Sequence, residues 1–156
     1  MANTNNYFMR FLMICLFILF GAVKIDAQKY ILLDKEMSQA AFYTNDLSVT
    51  EKYKGFFPVE AKNIEKFIDV LQEISQTLSS NNIMKEAKQY QVGCDKFKGI
   101  VVHLASGNRL DYVLTSNCGR MKVTMHLSDA KLTNGNNAYF INAWISYIKN
   151  ALPPKH

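Results

Sequence analysis

The chain has 156 residues, with 18 Lys and Arg against 13 Asp and Glu and a formal net charge of +5. This length supports one domain with an adequate core, without need of a metal or a dense disulfide framework. The basic residues are spread along the chain rather than clustered, which argues against a nucleic-acid groove and leaves weak attraction to acidic surfaces.

Arg10 precedes an unbroken apolar run from Phe11 to Val23, which is followed by Lys24-Ile25-Asp26-Ala27. A charged start, an apolar centre and a small-residue cleavage point are the parts of a secretory signal peptide. The run is shorter than the roughly 20 residues of a membrane span. Ala27 and Ile25 suit the last and third-last positions before a signal-peptidase cut, so cleavage is expected before Gln28. Residues 1–27 are then the signal peptide and 28–156 a single domain. This places the mature protein in the periplasm, at the cell surface or outside the cell, without stable membrane insertion. Two cysteines survive the cut, Cys94 and Cys118. In an oxidising compartment they are expected to form one structural disulfide, worth roughly 3 kcal/mol on the chain-entropy account. Neither C-x-x-C spacing nor an adjacent His suggests a redox or metal pair.

In chain order, Lys29 to Leu33 predicts a first strand and Ala40 to Thr44 a second. Tyr53 to Val59, with Gly55 and Pro58, predicts a loop or short edge strand ahead of a helix. Phe56 and Phe57 are expected to seal the bottom of a core. Over Glu60 to Ser79, Ile64, Phe67, Ile68, Leu71, Ile74 and Leu78 recur at spacings of three and four, the pattern of an amphipathic helix. Segments Lys88–Val92, Phe97–Ala105, Arg109–Thr115 and Arg120–Leu127 alternate with the period of strands. A second amphipathic helix is expected from Asn137 to Leu152, carrying Phe140, Ile141, Trp144 and Ile148 and ended by Pro153-Pro154. The expected fold is α+β in two layers: an antiparallel meander of three or more strands with two amphipathic helices on one face.

Alternation also suggests a register. A three-residue turn, Ser106-Gly107-Asn108, would pair Leu104 with Leu110 and Val102 with Tyr112, and set His103 across from Asp111. Pairing Tyr112 with Val123 would bring Thr124 beside Asp111 and His126 beside Arg109. The open face would then show His103, Arg109, Asp111, Arg120, Lys122, Thr124 and His126. An Asp that orients a His is half of a general-base arrangement, so His103 and Asp111 are weak catalytic candidates. No nucleophile has an evident place beside them. Two histidines about 10 Å apart across an intervening strand are too far separated to share a metal ion. No cofactor motif is present either.

The expectation that follows is an exported, non-enzymatic binding module that holds a protein partner through this polar face, such as an inhibitor, an immunity protein or an envelope-complex subunit. The alternatives are a small envelope hydrolase built on His103 and Asp111, or a small-ligand carrier with a pocket between the sheet and the Trp144 helix. The leader, with Ala27-Gln28 at its end, and the Lys-, Asn- and Ile-rich chain after it resemble exported proteins of Gram-negative bacteria. That resemblance implies a compartment and no activity.

Overall fold

The computed structural model describes residues 29–48, 50–79, 88–127 and 137–152. The expected leader and the Pro153-Pro154 stop lie outside them. Strand β1 (Tyr30–Asp34) is the centre of a three-stranded antiparallel sheet, between β2 (Phe42–Thr44) and β3 (Phe56–Glu60). A 3-10 turn at Thr50–Tyr53 precedes β3. Pro58 is tolerated in β3 because that strand is an edge, where a missing N–H removes no ladder bond on the open side.

The second sheet is a four-stranded antiparallel meander of β4 (Gln89–Val92), β5 (Asp95–Leu104), β6 (Gly107–Ser116) and β7 (Val123–His126). Strand β4 pairs with β5 only from Asp95 to Lys98, and β7 with β6 only from Val113 to Ser116. The distal half of the β5–β6 hairpin is therefore a two-stranded arm among the described residues. Helix α1 (Ile64–Ser79) is entered through a 3-10 turn at Ala61–Asn63, and helix α2 is Asn137–Ala151. The α+β class and the antiparallel meander are as expected. The single sheet is not: the strands divide into two sheets.

Both faces of β1 are covered, which explains its continuous apolar sequence. Ile31 and Leu33 join Phe57, Phe67, Phe97 and Trp144 in the main core, which draws on both sheets and both helices. Tyr30 and Leu32 point the other way, into a smaller core with Leu47, Tyr53, Cys118 and Met121. Phe56 and Phe57 are neighbours on a strand and so serve opposite faces. Phe57 is fully buried in the main core, and Phe56 packs on the smaller one. Trp144 meets Phe57 and Phe67 edge-on, with ring centroids 5.9 Å away in each case, and Phe67 lies 5.3 Å from Phe97. These aromatic contacts tie α2 to β3, α2 to α1, and α1 to β5. Ser75 of α1 and Asn142 of α2 add a side-chain hydrogen bond of 2.6 Å.

The β4–β5 connection is a two-residue turn, Gly93-Cys94, since Val92 pairs with Asp95. Gly93 has φ +56°. A positive φ at the first central residue is the requirement of a hairpin turn of type II′, which glycine meets without strain. A Cβ there would also displace the side-chain ends of Glu60 and Asn63, which are hydrogen-bonded to each other at 2.7 Å. Gly93→Ala is expected to cost about 1–2 kcal/mol in denaturant unfolding, mostly backbone strain. A variant as stable as the parent would show that the turn has another conformation open to it.

Candidate functional site

The β5–β6 register differs from the one expected from alternation. Leu104 pairs with Gly107, His103 with Asn108, Val102 with Arg109 and Ile100 with Asp111. The turn is thus Ala105-Ser106, and Gly107, with φ +122°, opens β6. The odd difference between the two registers reverses the facing of β5 alone. Phe97, Gly99 and Val101 lie across from Leu114, Tyr112 and Leu110 on the core side. Ile100, Val102 and Leu104 turn to the open side, where Ile100 is 37% and Leu104 44% exposed.

His103 and Asp111 consequently fall on opposite sides of the hairpin. His103 Nδ1 is hydrogen-bonded to Asn108 Oδ1 at 2.7 Å. Asp111 accepts two hydrogen bonds of 2.8 Å from the Arg109 guanidinium. This is a bidentate ion pair along one strand, with a buried carboxylate and a more exposed arginine. The Asp–His orienting pair expected across the hairpin does not form. On the β7 side the facing is as expected and the register is not: Thr124 sits across from Thr115, and His126 across from Val113. Arg120 precedes β7 and lies near Asp46. The Asp46 carboxyl is held below its usual value, chiefly by the Ser48 hydroxyl and backbone N–H, with a smaller contribution from Arg120.

Two residues of the expected face, Lys122 and Thr124, help form a cleft of about 260 Å³. The turn after β1 contributes Lys35 to it, and the segment before β3 contributes Tyr53 and Lys54. Met121 and Val123 complete the lining. Lys54 and Lys122 are exposed and Lys35 is half-buried. Lys35 is placed by the turn that follows Asp34, and that turn is built firmly. Desolvation alone would raise the Asp34 carboxyl. The backbone N–H groups of Glu36, Ser38 and Gln39, with the Ser38 hydroxyl, outweigh it and hold the carboxyl below its usual value. The Asp34 N–H in turn donates to the Tyr147 hydroxyl of α2 at 3.1 Å. Three lysines from three separate segments thus line one opening, and its lining has no carboxylate.

A second opening, about 470 Å³ between the helices, is lined by Gln72, Ser75, Gln76, Ser79 and Asn142. It lies between the two helices, whereas the carrier alternative expects a pocket between the sheet and the Trp144 helix. Trp144 itself is fully buried against Phe57 and Phe67.

The third constellation is internal. Cys94 and Cys118 are joined by a disulfide with 5.2 Å between their Cα atoms, as the cysteine count suggests. Beside it lies Asp95, 0% exposed, with Oδ2 lacking any hydrogen-bond partner among the described residues. Burial pushes the Asp95 carboxyl up to about 7, against a smaller opposing effect of the Ser116 hydroxyl, and the charge of Glu60 adds to the rise. The three side chains lie close enough to suggest a metal group, with donor atoms within 4.8 Å of one another. Bridged sulfurs offer no thiolate, so this set does not suit a metal ion. Sequence reasoning passed over Asp95, because an Asp that follows Gly-Cys at a hairpin reads as a turn residue. The available signal is parity: Asp95 shares its face with Phe97, two residues on. Comparison with protein-family models, with curated protein sequences and with solved structures finds no match for this chain.

Proposed function

We propose that this protein is an exported binding module that holds an acidic protein partner at the Lys35–Lys54–Lys122 cleft. Three lysines on the lining of one opening, with no carboxylate among its lining residues, carry the reading. Such a lining is complementary in charge to an anionic surface. Thr124 adds a hydroxyl for orientation, while Tyr53, Met121 and Val123 supply an apolar floor. Export is supported by the disulfide, which persists in oxidising compartments, and by the leader-like sequence over 1–27. Among the described residues no helix is long and apolar enough to cross a membrane.

The reading moves the interface away from Arg109, whose guanidinium is already committed to Asp111. Affinity capture on the disulfide-intact protein, followed by mass spectrometry, is expected to recover an acidic partner from a cell-envelope extract. Lys122→Glu and Lys54→Glu are each expected to weaken that complex by about tenfold or more, with a steep salt dependence in the parent. Arg109→Gln is expected to leave it unchanged. Failure to recover a partner, or equal affinity in both lysine variants, would reject the cleft as the interface.

A further inference from the structure

We infer that the Cys94–Cys118 disulfide is a thiol–disulfide exchange site, attacked at Cys94, with Asp95 as the proton donor to the departing Cys118 sulfur. Cys118 has polar neighbours on several sides. Its Sγ lies 3.6 Å from the Pro58 carbonyl oxygen and 4.0 Å from Asp95 Oδ1, and it receives the Ser116 hydroxyl at 3.2 Å. A disulfide sulfur has no proton to donate. The Pro58 carbonyl accepts the Ser116 hydroxyl at 3.1 Å, so Asp95 Oδ1 is the oxygen left facing a sulfur that cannot satisfy it. A thiol at the same position donates to it. The site is therefore furnished for the reduced state as well as for the bridge, and among the described residues the buried Asp95 Oδ2 has no hydrogen-bond partner.

The two sulfurs also differ in access. Cys94 sits in the two-residue hairpin turn and is half-buried, whereas Cys118 is 1% exposed beneath it. An incoming thiolate reaches Cys94 first, and Cys118 is then the leaving group. The backbone keeps the pair together without the bridge. Asp95 pairs with Ser116, and the Asn117 N–H donates to the Cys94 carbonyl at 3.0 Å. After reduction the thiols stay adjacent and reoxidation is intramolecular.

The reductant is a dithiol, whether a small molecule or the paired cysteines of an oxidoreductase. Its first thiolate bonds to Cys94 Sγ, the Cys94–Cys118 bond breaks, and the electron pair stays on Cys118 Sγ. That sulfur takes the proton of the Asp95 carboxyl, which becomes a carboxylate and later regains a proton from solvent. The second thiolate of the reductant attacks its own sulfur in the mixed disulfide and releases Cys94, which is protonated by solvent. The dithiol leaves as a disulfide, and the protein has gained two electrons. Among the described residues Asp95 is faced by Glu60 from β3, whose charge opposes ionisation, by the Ser116 hydroxyl from β6, and by Cys118. Glu60 is itself engaged by Asn63 and by Lys62, the latter at 3.7 Å.

The test is reduction of the native, disulfide-intact protein by dithiothreitol, followed by rapid alkylation and corrected for the thiolate fraction of the reductant. The corrected rate is expected to fall about tenfold between about pH 6 and about pH 9, as Asp95 loses the proton it supplies. Asp95→Asn is expected to flatten the profile and to react slowly throughout. Trapping with glutathione is expected to place the adduct on Cys94. A flat wild-type profile, an adduct on Cys118, or reduction only in denaturant would overturn the inference. The wild-type profile decides even if the variant fails to fold.

Discussion

Trp144→Ala is expected to be among the most destabilising single changes in this protein, costing on the order of 3–5 kcal/mol. The side chain is fully buried and holds Phe57 of β3 and Phe67 of α1 on two sides at once. Truncation leaves a cavity where both helices and the first sheet meet, too large for neighbouring rings to fill without leaving their own contacts. Against a typical total stability of about 5–15 kcal/mol, this is a large share. A melting temperature lowered by on the order of 10–20 °C is the expected reading in thermal unfolding. Trp144→Phe keeps most of the packing and removes an indole N–H that has no hydrogen-bond partner among the described residues. Its loss is expected to be much smaller. If Trp144→Ala melts within a degree or two of the parent, the aromatic cluster is not the keystone of the core.

Asp95→Asn is expected to change how stability depends on pH more than any other single substitution described above. In the unfolded chain the carboxyl ionises at the ordinary aspartate value of about 3.8, and in the folded protein only at about 7. Between those values the native state binds the extra proton. Stability from this group is therefore fully present below about pH 4 and is lost as pH rises through about 7. The full penalty above that window is on the order of 4 kcal/mol. An amide cannot ionise, so the variant should escape the penalty. Its own hydrogen-bonding cost is the same at every pH. The parent, kept oxidised, is expected to lose about 3 kcal/mol of unfolding free energy between about pH 5 and about pH 8, and the variant little of it. Parallel curves for the two proteins would mean that Asp95 is ionised in the fold across the whole range.

The strands and helices were legible because their burial is one-sided or their length distinctive. In α1, Ile64, Phe67, Ile68, Leu71 and Ile74 are all buried, as their spacing implies. Strand β7 also faces as its alternation suggests, with Met125 buried and Thr124 and His126 exposed. Strand β5 misled because Ile100-Val101-Val102 is apolar at consecutive positions, so either parity looks plausible. Lys96, Phe97 and Lys98 hold the decisive pattern, since two flanking lysines cannot both enter a core. Once β5 is reversed, the expected His103–Asp111 pair separates and Arg109 claims the carboxylate.

The second sheet was hidden for a related reason. A run such as Tyr30 to Leu33 states that a strand is buried on both faces without stating what covers each. The consecutive Phe56 and Phe57 carry the same message.

Local pattern, which depends only on residues a few places apart, determined the α+β class, the amphipathic helices and the antiparallel meander, and the cysteine count pointed to the Cys94–Cys118 disulfide. The tertiary structure alone decided which side chains from distant segments meet. Lys35, Lys54 and Lys122 converge only because the β1 turn, the approach to β3 and the start of β7 end at one opening. Asp95 lies buried against Cys118 only because β5 pairs with β6 in one register, with Pro58 of the other sheet closing over the sulfur. Register and sheet packing are set by long-range burial, a balance summed over the whole core rather than written in any one segment.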